Sequence, residues 1–372
     1  MTSVSTPVAH HPVRVAVVGY ALAGAAFHAP LIATTPGLRL DAVVTADPGR
    51  RAQLRTEHPR ARAVDTTERL LADPEAIDLL VIASPNRSHV PLARAALEAG
   101  LSVVVDKPVA GTSAEAIALV ELAEARGLML TVFQNRRWDA DFLTVRRLIA
   151  DGALGRVHRF ESRFERWWPE VTARWQESAD PVEVGGILPD LGSHLIDQAL
   201  TLFGPALQVY AEVDTRRDGA VIDDDVFLSL THAGDVRSHL WMSALSGQSG
   251  PRMRVLGDRS AYTVHGMDPQ EAALRDGRRP GPGWGEVPEA DRGLLGTGDG
   301  TTAHPSLPGD YPAFYAGVAR ALTEGTPPPV DPRDAVAALV VMEAARRSAA
   351  EGRAITLADE SRTGALAGGS SR

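Results

Sequence analysis

The chain has 372 residues, of which 44% are hydrophobic and 23% are charged, values that are ordinary for a globular protein. At roughly 150 residues per domain, this length suggests two domains. The net charge of −9 argues against nucleic acid or an anionic membrane as the partner, so the expected ligand is a small molecule. There are no cysteines, which excludes disulfides, thiolate nucleophiles and cysteine-ligated metals and leaves redox chemistry to a bound cofactor.

The N-terminus and the hydropathy pattern bear on location. Residues 1–12 lack the apolar core of a signal peptide and are expected to form a flexible N-terminus. No stretch approaches the ~18 continuous apolar residues of a membrane span. Together with the missing cysteines, this predicts a cytoplasmic protein without a membrane partner.

Apolar strands alternate with helical patterns over residues 13–134, which predicts a dinucleotide-binding domain with a doubly wound parallel sheet of the Rossmann type. The clearest helices are expected at His89–Ala99 and Ser113–Arg126, where apolar residues recur at helical spacing and a glycine follows the end. The strands are expected at Val13–Gly19, Leu38–Thr45, Ile77–Ser84, Leu101–Asp106 and Met129–Phe133.

Residues 135–356 are expected to form a substrate-binding α+β domain with a large, mostly antiparallel open sheet, because polar and apolar residues alternate along its strands. Gly, Pro and charged residues dominate Asp276–Pro308, which predicts a long irregular excursion. A final helix is expected at Asp331–Ala350, and the small, polar residues 357–372 are expected to be disordered. The predicted strands are Val157–Trp167, Gln208–Asp214, Val226–Thr231, Val236–Met242, Met253–Gly257 and Ala261–His265.

The segment after the first strand opens a helix, which is where dinucleotide-binding domains place their phosphate loop. The middle glycine of the usual G-x-G-x-x-G pattern is replaced by Ala21, whose methyl group a small shift of the phosphate can accommodate. A plain strand-to-helix turn is the alternative. The predicted cofactor-binding residues of this loop are Gly19, Tyr20, Ala21, Leu22, Ala23 and Gly24.

The end of the second strand favours NADP over NAD. An NAD site usually offers a carboxylate to the ribose about 20 residues after the glycine loop. Asp41 lies inside the strand, and Asp47 is expected to cap the next helix. Thr45, Arg50 and Arg51 are suited to a 2′-phosphate, so we expect NADP to be preferred, with NAD as the other possibility.

Polar residues also follow the third strand. Ser84, Pro85 and Asn86 end it, and His89 opens the next helix, which places all four at the carboxyl edge of the sheet. They are predicted to bind the cofactor. Ordinary turn and capping residues are the alternative, because Ser, Pro and Asn are common in turns.

An ammonium group stands at the end of the fourth strand, in the sequence Asp106-Lys107-Pro108. The carboxyl ends of strands in open α/β sheets are where ligands bind. We therefore expect Asp106 and Lys107 to contact cofactor or substrate. The alternative is a lysine that solvates a strand end, with Pro108 stopping the ladder.

A glycine turn at Gly185-Gly186 runs into a helix that carries Asp190, His194 and Asp197. Asp190 and His194 are four residues apart, so on an α-helix both side chains lie on one face and can reach one ligand. Asp197 is expected to orient His194. The alternatives are that Asp190 caps the helix and that His194 is a satisfied, semi-buried histidine, and no metal site is predicted.

Taken together, these motifs resemble the Gfo/Idh/MocA oxidoreductases over nearly the whole chain. The stretch from Asn135 to Phe142 looks like the branch that contains NADP-dependent scyllo-inositol dehydrogenases. Ala21 and Ile187 depart from the family pattern by replacing glycines, and Asp106 departs by standing where many members have Glu. The motifs occur in the family's order, as Gly19-x-Ala21-x-x-Gly24, Phe27-His28-Ala29-Pro30, Ser84-Pro85-Asn86, Asp106-Lys107-Pro108 and Asp190-x-x-x-His194.

The resemblance implies a two-domain enzyme that moves hydride between a nicotinamide and a carbinol carbon of a sugar, cyclitol or related keto compound. It implies that Lys107, Asp190 and His194 form the catalytic group. Histidine titrates near neutral pH and is the natural acid/base, and the Lys107 ammonium would stabilise alkoxide character. The candidates for a polyol pocket, each of which could equally be a core or interface residue, are Arg136, Arg137, Trp138, Arg166, Trp167 and Trp175.

Two other functions fit the same residues. One is an NAD-dependent glycoside hydrolase of this fold, in which transient oxidation activates the sugar. The other is a non-catalytic sensor of nucleotide or sugar, which would have no need of a proton-transfer pair. The two-sided sheet of the second domain favours a homodimer or homotetramer.

Overall fold

The computed structural model describes residues 11–172 and 174–357. The expected flexible N-terminus at 1–12 and disordered tail at 357–372 therefore fall outside the described residues, except at His11, Pro12 and Leu357. Leu357 is held in place, because its N–H donates to the Leu207 carbonyl at 2.9 Å. None of the helices in the described ranges has the length and apolar character needed to cross a membrane.

The first sheet has six parallel strands in the order β3-β2-β1-β4-β5-β6, which confirms the predicted Rossmann sheet. The central strands β4 and β5 are buried along their whole length, as a sheet covered on both faces requires. The short strand β3 was not predicted. The strands are β1 Val13–Val18, β2 Leu38–Val44, β3 Arg62–Val64, β4 Leu79–Ile82, β5 Ser102–Val105 and β6 Leu130–Val132.

The helices of this half begin and end where local chemistry dictates. Asp47 accepts the Arg50 N–H at 2.8 Å, which confirms that it caps the second helix. Thr112 and Glu115 form a capping box at the start of the fifth, and Gly127 ends it with φ of 64°. The helices are α1 Ala29–Thr34, α2 Pro48–Glu57, α3 Thr67–Leu71, α4 His89–Glu98, α5 Ser113–Arg126 and α6 Ala140–Ala150.

The second sheet has nine strands in the order β14-β13-β12-β11-β7-β10-β9-β8-β15, and only the β10–β7 pair is parallel, which confirms a large, mostly antiparallel sheet. Its strands are β7 Val157–Glu165, β8 Ala206–Asp214, β9 Asp225–His232, β10 Arg237–Ser243, β11 Met253–Gly257, β12 Ala261–Val264, β13 Leu294–Thr297, β14 Gly300–Ala303 and β15 Ile355–Thr356. The prediction of an irregular excursion at Asp276–Pro308 was wrong where β13 and β14 form a hairpin. These strands are short and largely exposed, so they show no apolar alternation.

The last helices of the chain return to the first sheet. They follow α7 (Ser193–Phe203) and α8 (Pro269–Arg275), and they are α9 (Pro312–Glu324) and α10 (Pro332–Glu351). Helix α9 buries side chains such as Val318 in one apolar cluster with β1, and α10 packs against α5 on the other face. The two halves of the chain therefore share apolar cores, which fixes the second sheet relative to the first.

Truncating a side chain in this shared core should destabilise the protein. Val318 is fully buried in α9, and we expect Val318→Ala to lower the free energy of unfolding by about 2 kcal/mol, from lost apolar burial and the cavity left behind. The matched control is Val221→Ala, since Val221 is 64% exposed and its change should stay within about 0.5 kcal/mol. Urea unfolding measures both. Equal losses for the two variants would contradict this role of α9.

Candidate active site

Three strand ends meet at one edge of the first sheet. Strands β1, β4 and β5 are adjacent and parallel. Gly19, Ser84 and Asp106 therefore lie side by side just beyond their carboxyl ends, where open α/β sheets bind ligands.

The glycine loop is built for close approach of two backbone segments. Gly19 has φ of 95°, and a Cβ atom there would lie 2.7 Å from the Ala83 carbonyl oxygen. A Cβ on Gly24 would overlap the Gly19 carbonyl oxygen. Ala21 is exposed at the start of the helical segment, whereas the Tyr20 side chain is buried and its hydroxyl donates to Glu57 at 2.7 Å. Only the backbone of Tyr20 is therefore left to face a ligand, and its place in the phosphate loop stays a prediction.

At the end of β2, the contacts of Arg51 differ from those predicted. Arg51 donates to the Thr45 carbonyl at 2.9 Å and pairs with the Asp65 carboxylate, so its charge is already compensated. Arg50 is exposed and makes no ion pair within residues 11–172 and 174–357. Sequence reasoning missed Asp65, which lies just after β3.

His89 links two of the strand ends. It is fully buried, and its ring nitrogens lie 2.8 Å from the Pro108 carbonyl oxygen and 2.9 Å from the Ser84 carbonyl oxygen. Burial lowers the pKa of His89, so the ring carries one N–H and donates to one of these two carbonyls at a time. This corrects the prediction that the His89 side chain binds the cofactor. In the turn before it, the Ser84 and Ser88 hydroxyls are 2.6 Å apart.

Lys107 and Asp190 join the two halves of the chain. The Lys107 ammonium donates to the Asp190 carbonyl oxygen at 2.7 Å and to its Oδ1 at 2.8 Å. Both side chains are partly buried, with exposures of 18% and 36%. Lys107 is also the only lysine among 38 Lys and Arg residues, a signal in the sequence that had gone unused. Every other Lys or Arg position is an arginine, and the two cations differ in geometry, since an ammonium is a compact group with three donors.

Asp190 does not lie on a regular α-helix, which corrects the expected geometry. Leu188–Gly192 forms a π-helical turn that leads into α7. Its start is held by Asp223, whose carbonyl oxygen accepts the Ile187 N–H at 2.9 Å and whose Oδ2 accepts the Leu188 N–H at 2.8 Å. Such turns are rare and frequent at functional sites.

His194 follows on the first turn of α7 and is 5% exposed. Its Nδ1 is buried and has no hydrogen-bond partner among the residues that the structure describes. Burial, reinforced by the positive charges of Lys107, Arg136 and Arg252, lowers the pKa of His194 well below its usual range. The imidazole is therefore neutral at pH 7 and able to accept a proton.

Asp197 does not orient His194, contrary to expectation. Its two carboxylate oxygens accept from Arg137, at 2.8 Å and 2.6 Å. Arg137 also donates to Asp334 on α10 at 2.9 Å. This pairing places Arg137 in an interhelical ion network, which corrects its assignment to a polyol pocket.

Two of the predicted pocket arginines do lie near His194. The Phe164 ring is their common neighbour, with the Arg136 guanidinium at 4.7 Å, that of Arg166 at 5.1 Å and the His194 ring at 6.3 Å. Arg136 is paired with Asp139 at 3.1 Å, whereas Arg166 makes no ion pair with any residue that the structure describes.

The three tryptophans predicted to line the polyol pocket have other surroundings. Trp138 packs edge-on against Phe314 at 5.6 Å within the core beside α9, which corrects its placement in the pocket. Trp167 is 60% exposed, and Trp175 begins a short 3₁₀ turn on the segment after β7.

Comparison with known proteins agrees with this geometry. Residues 13–134 match the family model described as the NAD-binding Rossmann fold of the GFO_IDH_MocA oxidoreductases, and residues 146–357 match that of their C-terminal alpha/beta domain. The chain belongs to the Gfo/Idh/MocA oxidoreductase family. As a family member, it is an NAD(P)-dependent dehydrogenase or reductase acting on CH–OH groups.

Its relatives extend over nearly the whole chain. It is 39% identical to the oxidoreductase YdgJ of Escherichia coli over 351 residues, which cover 93% of this chain and 99% of YdgJ. It is 35% identical to scyllo-inositol 2-dehydrogenase (NADP(+)) IolW of Bacillus subtilis over 350 residues, covering 93% and 96%. The structure of the oxidoreductase yvaA of Bacillus subtilis matches with a TM-score of 0.89 at 33% identity, covering 94% of this chain and 99% of that one.

If His194 is the base of alcohol oxidation, as the family resemblance implies, its lowered pKa predicts how the reaction depends on pH. Only the unprotonated ring accepts a proton, so kcat/KM should persist below pH 6.5 and fall only as the pH passes through the lowered pKa. A profile from pH 4.5 to 8 measures this. An acid limb centred at or above pH 6.5 would contradict it. Circular dichroism at each pH is the control, because histidines of the unfolded chain bind protons near pH 6.5 and the lowered native pKa values reduce stability below that pH.

Proposed function

We propose that this family member transfers hydride between a nicotinamide and the carbinol or carbonyl carbon of a sugar, cyclitol or related keto compound, with Lys107, Asp190 and His194 as its catalytic group. The Lys107 ammonium carries the argument. An ammonium has three N–H donors, and two of them are given to Asp190. The third is available to a substrate oxygen beside the neutral His194.

Each residue then has a distinct chemical role. During oxidation, the neutral His194 takes the proton of the substrate hydroxyl while hydride leaves the carbon that bears this hydroxyl. During reduction, His194 returns the proton to the oxygen. The remaining Lys107 donor stabilises negative charge on the oxygen in the transition state. Asp190 fixes the lysine through both its main chain and its side chain. When bound, the nicotinamide supplies the hydride acceptor or donor.

The residues at the glycine loop fit a dinucleotide. Gly19 and Gly24 leave no room for side chains at the turn, and Ala21 and Leu22 are exposed where the helical segment begins. The first turn of this segment, Ala23–His28, carries no acidic side chain to repel a phosphate. The turn formed by Ser84, Pro85 and Asn86 borders the same edge.

We further propose that NADP is preferred over NAD. The carboxylate of Asp47 is used in capping α2, and that of Asp65 is paired with Arg51, so neither is free for the ribose hydroxyls. Arg50 keeps an uncompensated charge where a 2′-phosphate would bind. The NADP-dependent relative IolW supports the same choice.

For the substrate, the proposal rests on chemistry near His194. Guanidinium groups such as that of Arg166 donate hydrogen bonds to hydroxyls, and the Arg166 guanidinium makes no ion pair with any residue that the structure describes. Two relatives point to the same class, IolW and a D-apiose dehydrogenase of Paraburkholderia graminis that is 30% identical over 76% of this chain. A screen of polyols and keto-sugars with both cofactors, read at the reduced-nicotinamide absorbance, tests the proposal. Absence of turnover with every compound would contradict it.

The NADP preference predicts the effect of one arginine. We expect Arg50→Ala to weaken NADP(H) binding about tenfold and to leave NAD(H) binding unchanged, because only the phosphorylated cofactor needs a charge-assisted contact. The matched control is Arg55→Ala, an exposed arginine in the last turn of the same helix. Fluorescence titration with each cofactor gives the affinities. Equal or tighter binding of NAD(H) by the parent protein would discard the preference.

The catalytic assignment predicts that Lys107→Met and His194→Ala abolish turnover while cofactor binding stays nearly intact, because both residues act on the substrate oxygen. General acid–base assistance is worth roughly 100- to 10,000-fold, so the loss should appear in kcat. Lys107→Arg should fail as well, since a planar guanidinium cannot replace an ammonium held by Asp190. If folded variants retain near-parental hydride transfer, the assignment is wrong.

We also propose that the protein is a homodimer or homotetramer. The outer face of the second sheet presents aromatic side chains in register, with Trp241 opposite Phe227 and the Arg163 guanidinium 3.9 Å above the Trp241 ring. Sedimentation velocity should show an assembly, and Phe227→Glu should dissociate it by placing a charge on this face. A monomeric parent protein would contradict the proposal.

A further inference from the structure

A buried polar chain lies behind the turn that carries Lys107. His28 is fully buried, and its Nδ1 lies 2.6 Å from the Tyr315 hydroxyl. Its Nε2 lies 3.5 Å from the Asp106 Oδ2, and its ring packs at a tilt against that of Phe133 with 4.4 Å between centroids. Neither His28 nor Tyr315 has a part in the mechanism above.

The chemistry of Asp106, His28 and Tyr315 fixes which group donates and which accepts at each contact. Burial disfavours the charged form of Asp106, but His28, Lys107 and His89 outweigh it and hold the pKa of this carboxyl below its usual range. An ionised carboxylate only accepts, so the His28 Nε2 must carry the proton. Burial raises the pKa of Tyr315 well above its usual range, so its hydroxyl stays protonated and donates to Nδ1.

Asp106 contacts both His28 and Lys107, so the orientation of its carboxylate links the two residues. Its Oδ1 accepts the Lys107 main-chain N–H at 2.7 Å, while its Oδ2 faces His28. The His28 Nε2 is buried and makes no hydrogen bond of normal geometry among the described residues, and the Asp106 carboxylate, 3.5 Å away, is the acceptor that it faces. A buried donor without an acceptor is costly, which keeps the carboxylate turned toward the ring.

This series of hydrogen-bonding groups ends inside the protein, at Tyr315, which has no exposed surface. A proton that entered it from the site would have no exit to solvent. The arrangement is therefore suited to holding a position and not to moving protons.

We propose that His28 is a positioning residue of the reaction: backed by Tyr315, it holds Asp106, and through Asp106 it sets the Lys107 ammonium against Asp190. The inference rests on the proposed function, because it concerns the placement of the ammonium that function uses. Misplacing a catalytic group by about 1 Å can cost on the order of 100-fold in rate.

Two substitutions of similar bulk separate this role from general packing. In His28→Gln the side-chain amide reaches about as far as Nε2 and can still donate to Asp106. In His28→Asn the amide reaches only as far as Nδ1, so it keeps the partner Tyr315 and loses Asp106. A merely structural role would not distinguish the two in this order.

With a substrate from the polyol screen, kcat should fall about 10- to 100-fold in His28→Asn and stay within about threefold of the parent in His28→Gln. The Kd of NADP should change little in both. Combining His28→Asn with Asp106→Asn should cost no more than Asp106→Asn alone, because both act through one contact. Equal kcat values in the Gln and Asn variants, or a loss confined to cofactor affinity, would overturn the proposal.

A second readout does not depend on turnover. Because Lys107 is the only lysine, protein labelled with 13Cε-lysine shows a single side-chain resonance. That resonance should move in His28→Asn and remain in place in His28→Gln. An unmoved resonance in His28→Asn would overturn the proposal even if no substrate had been found, whereas a moved resonance with no turnover would leave the positioning role standing and remove the proposed function.

Tyr315→Phe covers the case in which His28→Asn fails to fold. It deletes one oxygen and keeps the ring that packs on Phe133 at 6.0 Å. The lysine resonance should move in the same direction as in His28→Asn and by less. An unchanged resonance together with an unchanged kcat would overturn the role of the buried chain.

Discussion

The contact between Lys107 and Asp190 is the one on which the geometry of the site depends, because its partners come from different halves of the chain. Lys107 follows β5 of the first sheet, and Asp190 lies in the turn before α7 of the second half. Ion pairs of this kind contribute little net stability, since desolvation offsets the attraction. The value of this one is positional: two hydrogen bonds to Asp190 fix the ammonium and leave one donor for a ligand. The packing of α9 and α10 on the first sheet keeps the two partners within reach.

Three cationic side chains, each paired with a carboxylate, lie near the neutral His194 ring. Lys107, Arg136 and Arg252 surround His194, and together with burial they keep its ring unprotonated. In the proposed reaction, the same charges would favour the alkoxide character that develops on the substrate oxygen when its proton leaves ahead of the hydride on the adjoining carbon. As the proposed base, His194 would be weak in this setting, and the ammonium would compensate by making the substrate hydroxyl easier to deprotonate.

The sequence predicted the site best where local rules apply. Strand ends of a parallel sheet share an edge, so Gly19, Ser84 and Lys107 could be placed together from their strands alone. The close spacing of Asp190 and His194 placed both on the segment that enters α7, although the π-helical turn could not be foreseen from spacing. That Lys107 is the only lysine of the chain is also visible in the sequence.

Long-range pairings could not be predicted, since nothing local encodes them. The pairing of Asp197 with Arg137 depends on a helix meeting a loop 60 residues away. The His28–Tyr315 contact joins residues separated by 287 positions. Hairpin β13–β14 was missed for a different reason, because exposed strands lack the alternation from which strands are predicted.

The most direct test of the central claim is a crystal structure of the protein with NADP and a bound polyol. The account predicts that one substrate oxygen lies within hydrogen-bond distance, about 3.2 Å or less, of both the Lys107 Nζ and a ring nitrogen of His194. Lys107 should keep its contacts with Asp190 in that complex. A polyol bound with its reacting oxygen away from both groups would contradict the account.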